Sequence, residues 1–125
     1  MGLIDTLLGH AGETPIDAIA EEFAPLLAPG ETLQRAFAMV RDLVVFTDRR
    51  MILVNKQGVT AKKVEYRSIP YRAINMFALE TAGHFELETD LRIWINGQAA
   101  PLDLHLERGG GAAQIMAVLA QNTSK

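Results

Sequence analysis

Glu86 and Glu88, in the stretch "FELETD", are the nearest approach to a paired carboxylate in this 125-residue chain, and on a strand they share one face. Two such groups can divide acid and base roles when burial drives their pKa values apart. In an exposed strand or loop both simply stay ionised. Ser68, in "RSIPY", lies outside any Gly-x-Ser-x-Gly elbow, so acyl transfer has no nucleophile in the expected setting. His10, His84 and His105 are far apart with no His-x-x-His spacing, and there is no cysteine to act as thiolate ligand or nucleophile. These residues imply no catalytic constellation, no metal and no cofactor. The "RGGG" run at 108–111 could form an anion nest before a helix. Without a following Lys-Ser/Thr it reads instead as a connection.

Basic residues gather in "NKQGVTAKKVEYR". Lys56, Lys62 and Lys63 could meet anionic lipid headgroups, each worth about 1 kcal/mol near a charged surface, or nucleic acid phosphates. The competing reading is a solvated hairpin tip, where Gly58 supplies a positive φ and the lysines discourage aggregation through the strand edge. An acidic total and the lack of an aromatic pair beside the bases favour the tip, set nucleic acid aside and leave the membrane as a weak alternative.

The net charge of −3 conceals segregation: residues 1–31 hold six acids and no Lys or Arg, residues 32–72 nine bases against three acids, and residues 73–125 three bases against six acids. Such asymmetry invites an electrostatic partner. In "FTDRRMILVNKQG", Asp48 reads as a turn residue bonded to its own backbone, with Arg49 or Arg50 as a modest surface pair at most.

The elements that must position these groups follow from periodicity. Thr14 and Pro15 read as an N-cap and first helical residue, with Ile16, Ile19, Ala20 and Phe23 at helical spacing through "PIDAIAEEFAPLL". A shorter apolar turn, "LIDTLL", precedes it. From Glu31 the period becomes two, giving seven strand candidates: "TLQRAFAMV", "LVVFT", "RMILVN", "KVEYRSI", "INMFALE", "DLRIWIN" and "LDLHLE". "AAQIMAVLAQN" closes the chain as a helix. With no helix between strands, a parallel βαβ array is excluded, and a mainly β, partly open barrel of seven antiparallel strands capped by a C-terminal α-helix is the economical solution. The division is an N-terminal helical extension, 1–30, and a barrel domain, 31–125.

The apolar runs "LVVF" and "MILV" are far shorter than the roughly 18 residues of a membrane-spanning helix. Asp5 stands where a secretory signal would be basic, and a cysteine-free chain suits a cytoplasmic setting. Met1, Gly2 and Thr6 fit a myristoylation pattern too short to carry weight.

The run "FTDRRMILVNKQGVTAKKVEYRSIPYRAINMFALETAG", continued by "LRIWI", resembles the bacterial pleckstrin-homology family over roughly residues 31 to 122. The resemblance implies two roughly orthogonal antiparallel sheets with a C-terminal helix, a non-enzymatic role and assembly into symmetric homo-oligomers. Relatives that hold phosphoinositides place several bases in a long hairpin between their first two strands. Here that connection is "VRDLV", with Arg41 as its single base, so that headgroup site is not expected.

Trp94 falls on the strand face opposite Leu91, Ile93 and Ile95. Either it packs at an orthogonal corner that buries both faces, or it lies outside the monomer core as an interface anchor beside Arg92, with His105 also outward. The implied oligomer favours the interface. The expectation is a self-assembling protein-binding or scaffolding module of unidentified partner, with the acidic N-terminal helices packing on the basic strands of a neighbour to close a ring.

Overall fold

A computed structural model of the chain describes residues 12–39, 42–57, 63–84 and 87–124, the side chains of 56 and 57 aside. The first element is a short strand, β1 (Gly12–Thr14), followed by a 3-10 turn (Ile16–Ala18), a single α-helical turn, α1 (Ala20–Phe23), and a second 3-10 turn (Ala24–Leu26). Strands β2 (Leu33–Ala38), β3 (Asp42–Thr47), β4 (Arg50–Gln57) and β5 (Lys63–Pro70) continue from β1 as one antiparallel sheet in sequence order. A 3-10 turn, Tyr71–Ala73, leads into a second antiparallel sheet of β6 (Ile74–Thr81), β7 (Thr89–Ile95) and β8 (Leu102–Leu106), and helix α2 (Ala112–Thr123) ends the described chain.

The described residues therefore form sheets of five and three strands, eight strands rather than the seven expected. The added one is β1, whose Thr14 pairs with Ala36. Its sequence, Gly-Glu-Thr, has no apolar alternation for a period-two search to find.

The helix expected over "PIDAIAEEFAPLL" is replaced by the 3-10, α, 3-10 succession. Thr14 belongs to β1, and Pro15 in extended conformation takes the N-cap position. Pro25 explains the early stop, because it has no N–H to donate and its ring clashes with the carbonyl four residues earlier.

Strands β3 and β4 of the five-stranded sheet are buried on both faces, which is why "LVVF" and "MILV" are continuous apolar runs. Val44, Phe46, Met51 and Leu53 face the other sheet and α2, where they meet Leu91, Ile93, Leu104, Leu106, Ile115, Val118 and Leu119. Leu43, Val45, Ile52 and Val54 point the opposite way and are covered by Ile19 and Phe23 of the N-terminal segment. Phe23 meets Tyr66 edge-on, with ring centroids 6.0 Å apart. On α2, residues 115, 118, 119 and 122 make the buried stripe at helical spacing. Gly111 precedes it at φ +85°, with a Phe37 ring carbon 2.9 Å from where a Cβ would stand, so glycine is needed there for both conformation and space.

Candidate functional site

Register in the three-stranded sheet decides which side chains share its outward face. Met76 of β6 lies opposite Trp94 of β7, Ala78 opposite Arg92, and Glu80 opposite Asp90. Across the other side of β7, Arg92 pairs with Asp103 and Asp90 with His105 of β8. Leu91, Ile93, Leu104 and Leu106 take the inward positions and are fully buried. The three residues expected at an interface, Arg92, Trp94 and His105, are thus brought onto one face. Trp94 is partly buried there, and Met76 beside it is 51% exposed.

Polar groups surround this apolar pair. Arg92 Nη2 donates to Glu80 Oε1 at 2.9 Å, whereas its Nε is buried without a partner among the described residues. The His105 imidazole has Nδ1 at 2.9 Å from Asp90 Oδ1, and its Nε2 is 3.4 Å from Glu88 and 3.5 Å from Glu107. The bond to Asp90, reinforced by the charges of Glu107 and Glu88, raises the imidazole pKa above its ordinary value.

Glu88, His105 and Glu107 offer ligand atoms within 4.8 Å of one another, a spacing that a small cation could bridge, although the group sits at the surface. The sequence concealed this cluster because its members come from two segments far apart along the chain. Glu88 is exposed, and its expected carboxylate partner Glu86 lies outside the described residues.

The basic candidates are only partly placed. Lys63 is exposed at the start of β5, nothing is described of the Lys56 side chain, and Lys62 lies outside the described residues. Among the described residues no helix is long and apolar enough to cross a membrane.

The "TDRR" turn has another role. Asp48 accepts the Thr32 N–H at 2.8 Å rather than bonding its own backbone or pairing with Arg49 or Arg50. Arg50 reaches Glu31, donating from Nε at 2.8 Å and from Nη2 at 3.0 Å. It also donates to the Leu26 carbonyl at 2.6 Å and to Ser68 Oγ at 2.9 Å. Glu31 in turn accepts the Thr47 hydroxyl at 2.6 Å and the Ala28 N–H at 2.9 Å. The surface pair expected for Arg50 is therefore replaced by one in which the carboxylate is buried and the guanidinium partly so. Donation from Arg50 holds the Glu31 carboxyl at a pKa of about 2, against an ordinary 4.5.

This arrangement, two antiparallel sheets with a helix against the inner core, is shared by known proteins. The family model "Bacterial PH domain" matches residues 2–123. The uncharacterised protein YjqA of Bacillus subtilis is 54% identical over 101 residues, spanning 81% of this chain and 81% of its own length. The uncharacterised YozO of the same organism is 26% identical over 103 residues, 82% of this chain and 88% of its own. A pleckstrin-homology domain crystal structure from Shewanella amazonensis is 48% identical and superposes with a TM-score of 0.79, covering 98% of each chain. A DUF1696 family structure from Shewanella loihica is 43% identical with a TM-score of 0.80, covering 92% of this chain and 98% of that one. The fold is the pleckstrin-homology fold, and the chain belongs to the bacterial pleckstrin-homology domain family.

Proposed function

We propose that this chain is a non-catalytic, cytosolic module that self-associates through the outward face of its three-stranded sheet and, so assembled, binds or scaffolds a protein partner. The observation that carries this reading is the Met76–Trp94 pair, two large apolar side chains in direct cross-strand register on the face turned away from the core. Trp and Arg are favoured interface anchors, and methionine adapts its shape to what it meets. A two-fold contact brings a patch against itself, so the patch must carry complementary groups. Arg92 and His105 beside Glu80, Asp90 and Asp103 supply both signs on one face.

The acidic N-terminal segment is the weaker candidate for this contact. Ile19 and Phe23 are both 0% exposed against their own sheet, so a head-to-tail exchange through that segment would first have to unpack them. Sedimentation velocity on the full chain tests the sheet face. The wild type is expected to run as an oligomer, and Trp94→Lys combined with Met76→Lys as a monomer that keeps the backbone signal of its far-ultraviolet circular dichroism spectrum. A wild type that stays monomeric at its highest soluble concentration overturns the reading, as does a double variant that keeps its oligomer mass.

A further inference from the structure

Among the described residues strand β8 pairs with β7 alone, and β5 with β4 alone, so each sheet ends in a strand with one unpaired edge. Successive strand residues direct their N–H and C=O groups to opposite sides, which leaves alternate backbone groups of β8 with no strand across from them. That edge looks onto a groove. A cavity of about 560 Å³ lies between Arg67 and Pro70 of β5 on one side and Pro101 and Leu102 on the other. A second, of about 210 Å³, continues it past Asp103 and Leu104 over Glu65, and both are lined by Arg67 and Leu102. The larger cavity alone falls in the size range, about 300–1,000 Å³, of ordinary ligand sites.

The other edges carry devices that discourage pairing. β1 is three residues long, β5 bears Lys63 and Arg67 and ends at Pro70, and the register of β6 is interrupted between Ile74 and Met76. β8, Leu-Asp-Leu-His-Leu, has no lysine, no proline and no break in its register with β7.

We infer that the groove between β5 and β8 accepts a single extended segment of another protein, which adds to β8 as a further strand. The alternation of β8 sets the chemistry of that segment. Leu102 and Leu104 line the groove from β8, so apolar side chains belong at the positions beside them, while Asn55, Glu65 and Arg67 make the opposite wall polar. Asp103 is exposed on the outward face, and the guanidinium of Arg92 opposite it goes to Glu80. A Lys or Arg between two apolar residues therefore meets Asp103 as a cross-strand ion pair. A second copy of this chain fits less well. Behind its β8 would follow β7 and β6, each about 4.8 Å further on, into the space that β5 already occupies.

Residue-by-residue amide hydrogen exchange of the full-length protein tests this, with a short capped peptide alternating valine and lysine as probe. The peptide is expected to slow alternate amides within 102–106 by about tenfold and to leave the β7-facing set unchanged, a pattern that side-chain binding elsewhere does not produce. A valine–glutamate peptide is expected to bind about fivefold more weakly, in line with a cross-strand charge pair of about 1 kcal/mol. Asp103→Lys, on the surface and compatible with folding, is expected to reverse that preference. Three results each overturn the proposal: unchanged exchange in 102–106 at peptide saturation, alternate protection already present in the free chain and rising with protein concentration, or responses confined to Met76 and Trp94. The monomer expected from the Trp94 and Met76 double variant binds the peptide equally, so failure of the self-association reading leaves the groove untouched.

Discussion

Glu31 has a side chain 1% exposed, and Arg50, Thr47 and the Ala28 N–H all donate to it. A buried carboxylate is tolerable only when its charge is met in this way, and removing its charge leaves an arginine and a hydroxyl short of a partner. Glu31→Gln is therefore expected to cost about 3 kcal/mol in urea unfolding at neutral pH. Because the folded pKa is depressed, the stabilisation is complete above the unfolded value of 4.5 and is lost as pH falls towards about 2. Unfolding curves of wild type and Glu31→Gln should accordingly converge across that acid window, and a gap that persists at the acid end would contradict the assignment. None of this was legible locally. Glu31 and Arg50 are 19 residues apart, and the sequence offered Asp48, two residues from Arg50, as the more obvious partner. Asp48 instead fixes the Thr32 backbone, just before β2, the strand that pairs with β3.

At the scale of elements, strands β7 and β8 were legible because burial on one face imposes a period of two on their residues, and β3 and β4 because burial on both makes them continuous apolar runs. Leu91 and Ile93, then Leu104 and Leu106, alternate inward as their spacing implied. What escaped was set by tertiary contact or by a single breaker. β1 exists because β2 had an edge to fill, and the N-terminal helix is cut short by Pro25 despite its amphipathic pattern. The "RGGG" segment read only as a connection, yet its last glycine is constrained by the ring of Phe37. Gly111→Ala puts a methyl group into that contact and a side chain at a positive φ, and is expected to cost about 2–3 kcal/mol. A melting temperature within a degree or two of wild type would show that α2 can shift to make room. Gly97→Ala, with the same sign of φ but open space around it, serves as the comparison that separates backbone strain from the clash.

For the molecule as a whole, the segregated charges take on a different meaning once the fold is known. Acidic leading residues and basic central strands suggested attraction between molecules, but Glu13 meets Arg35 at 2.6 Å and Glu31 meets Arg50 at 2.8 Å within the same chain. Part of the asymmetry is an internal docking code for the N-terminal cover. The cover also shields Leu43, Val45, Ile52 and Val54, which would otherwise form an exposed apolar sheet face. Cutting the chain before Glu31 should thus remove a layer of the core rather than a detachable arm. Its expected product melts without a cooperative transition and aggregates, whereas Trp94→Lys with Met76→Lys melts cooperatively and loses only its association. Light scattering and thermal melts on the two variants side by side check this, because a shortened chain that melts cooperatively at the wild-type oligomer mass would show that the cover contributes little to the fold.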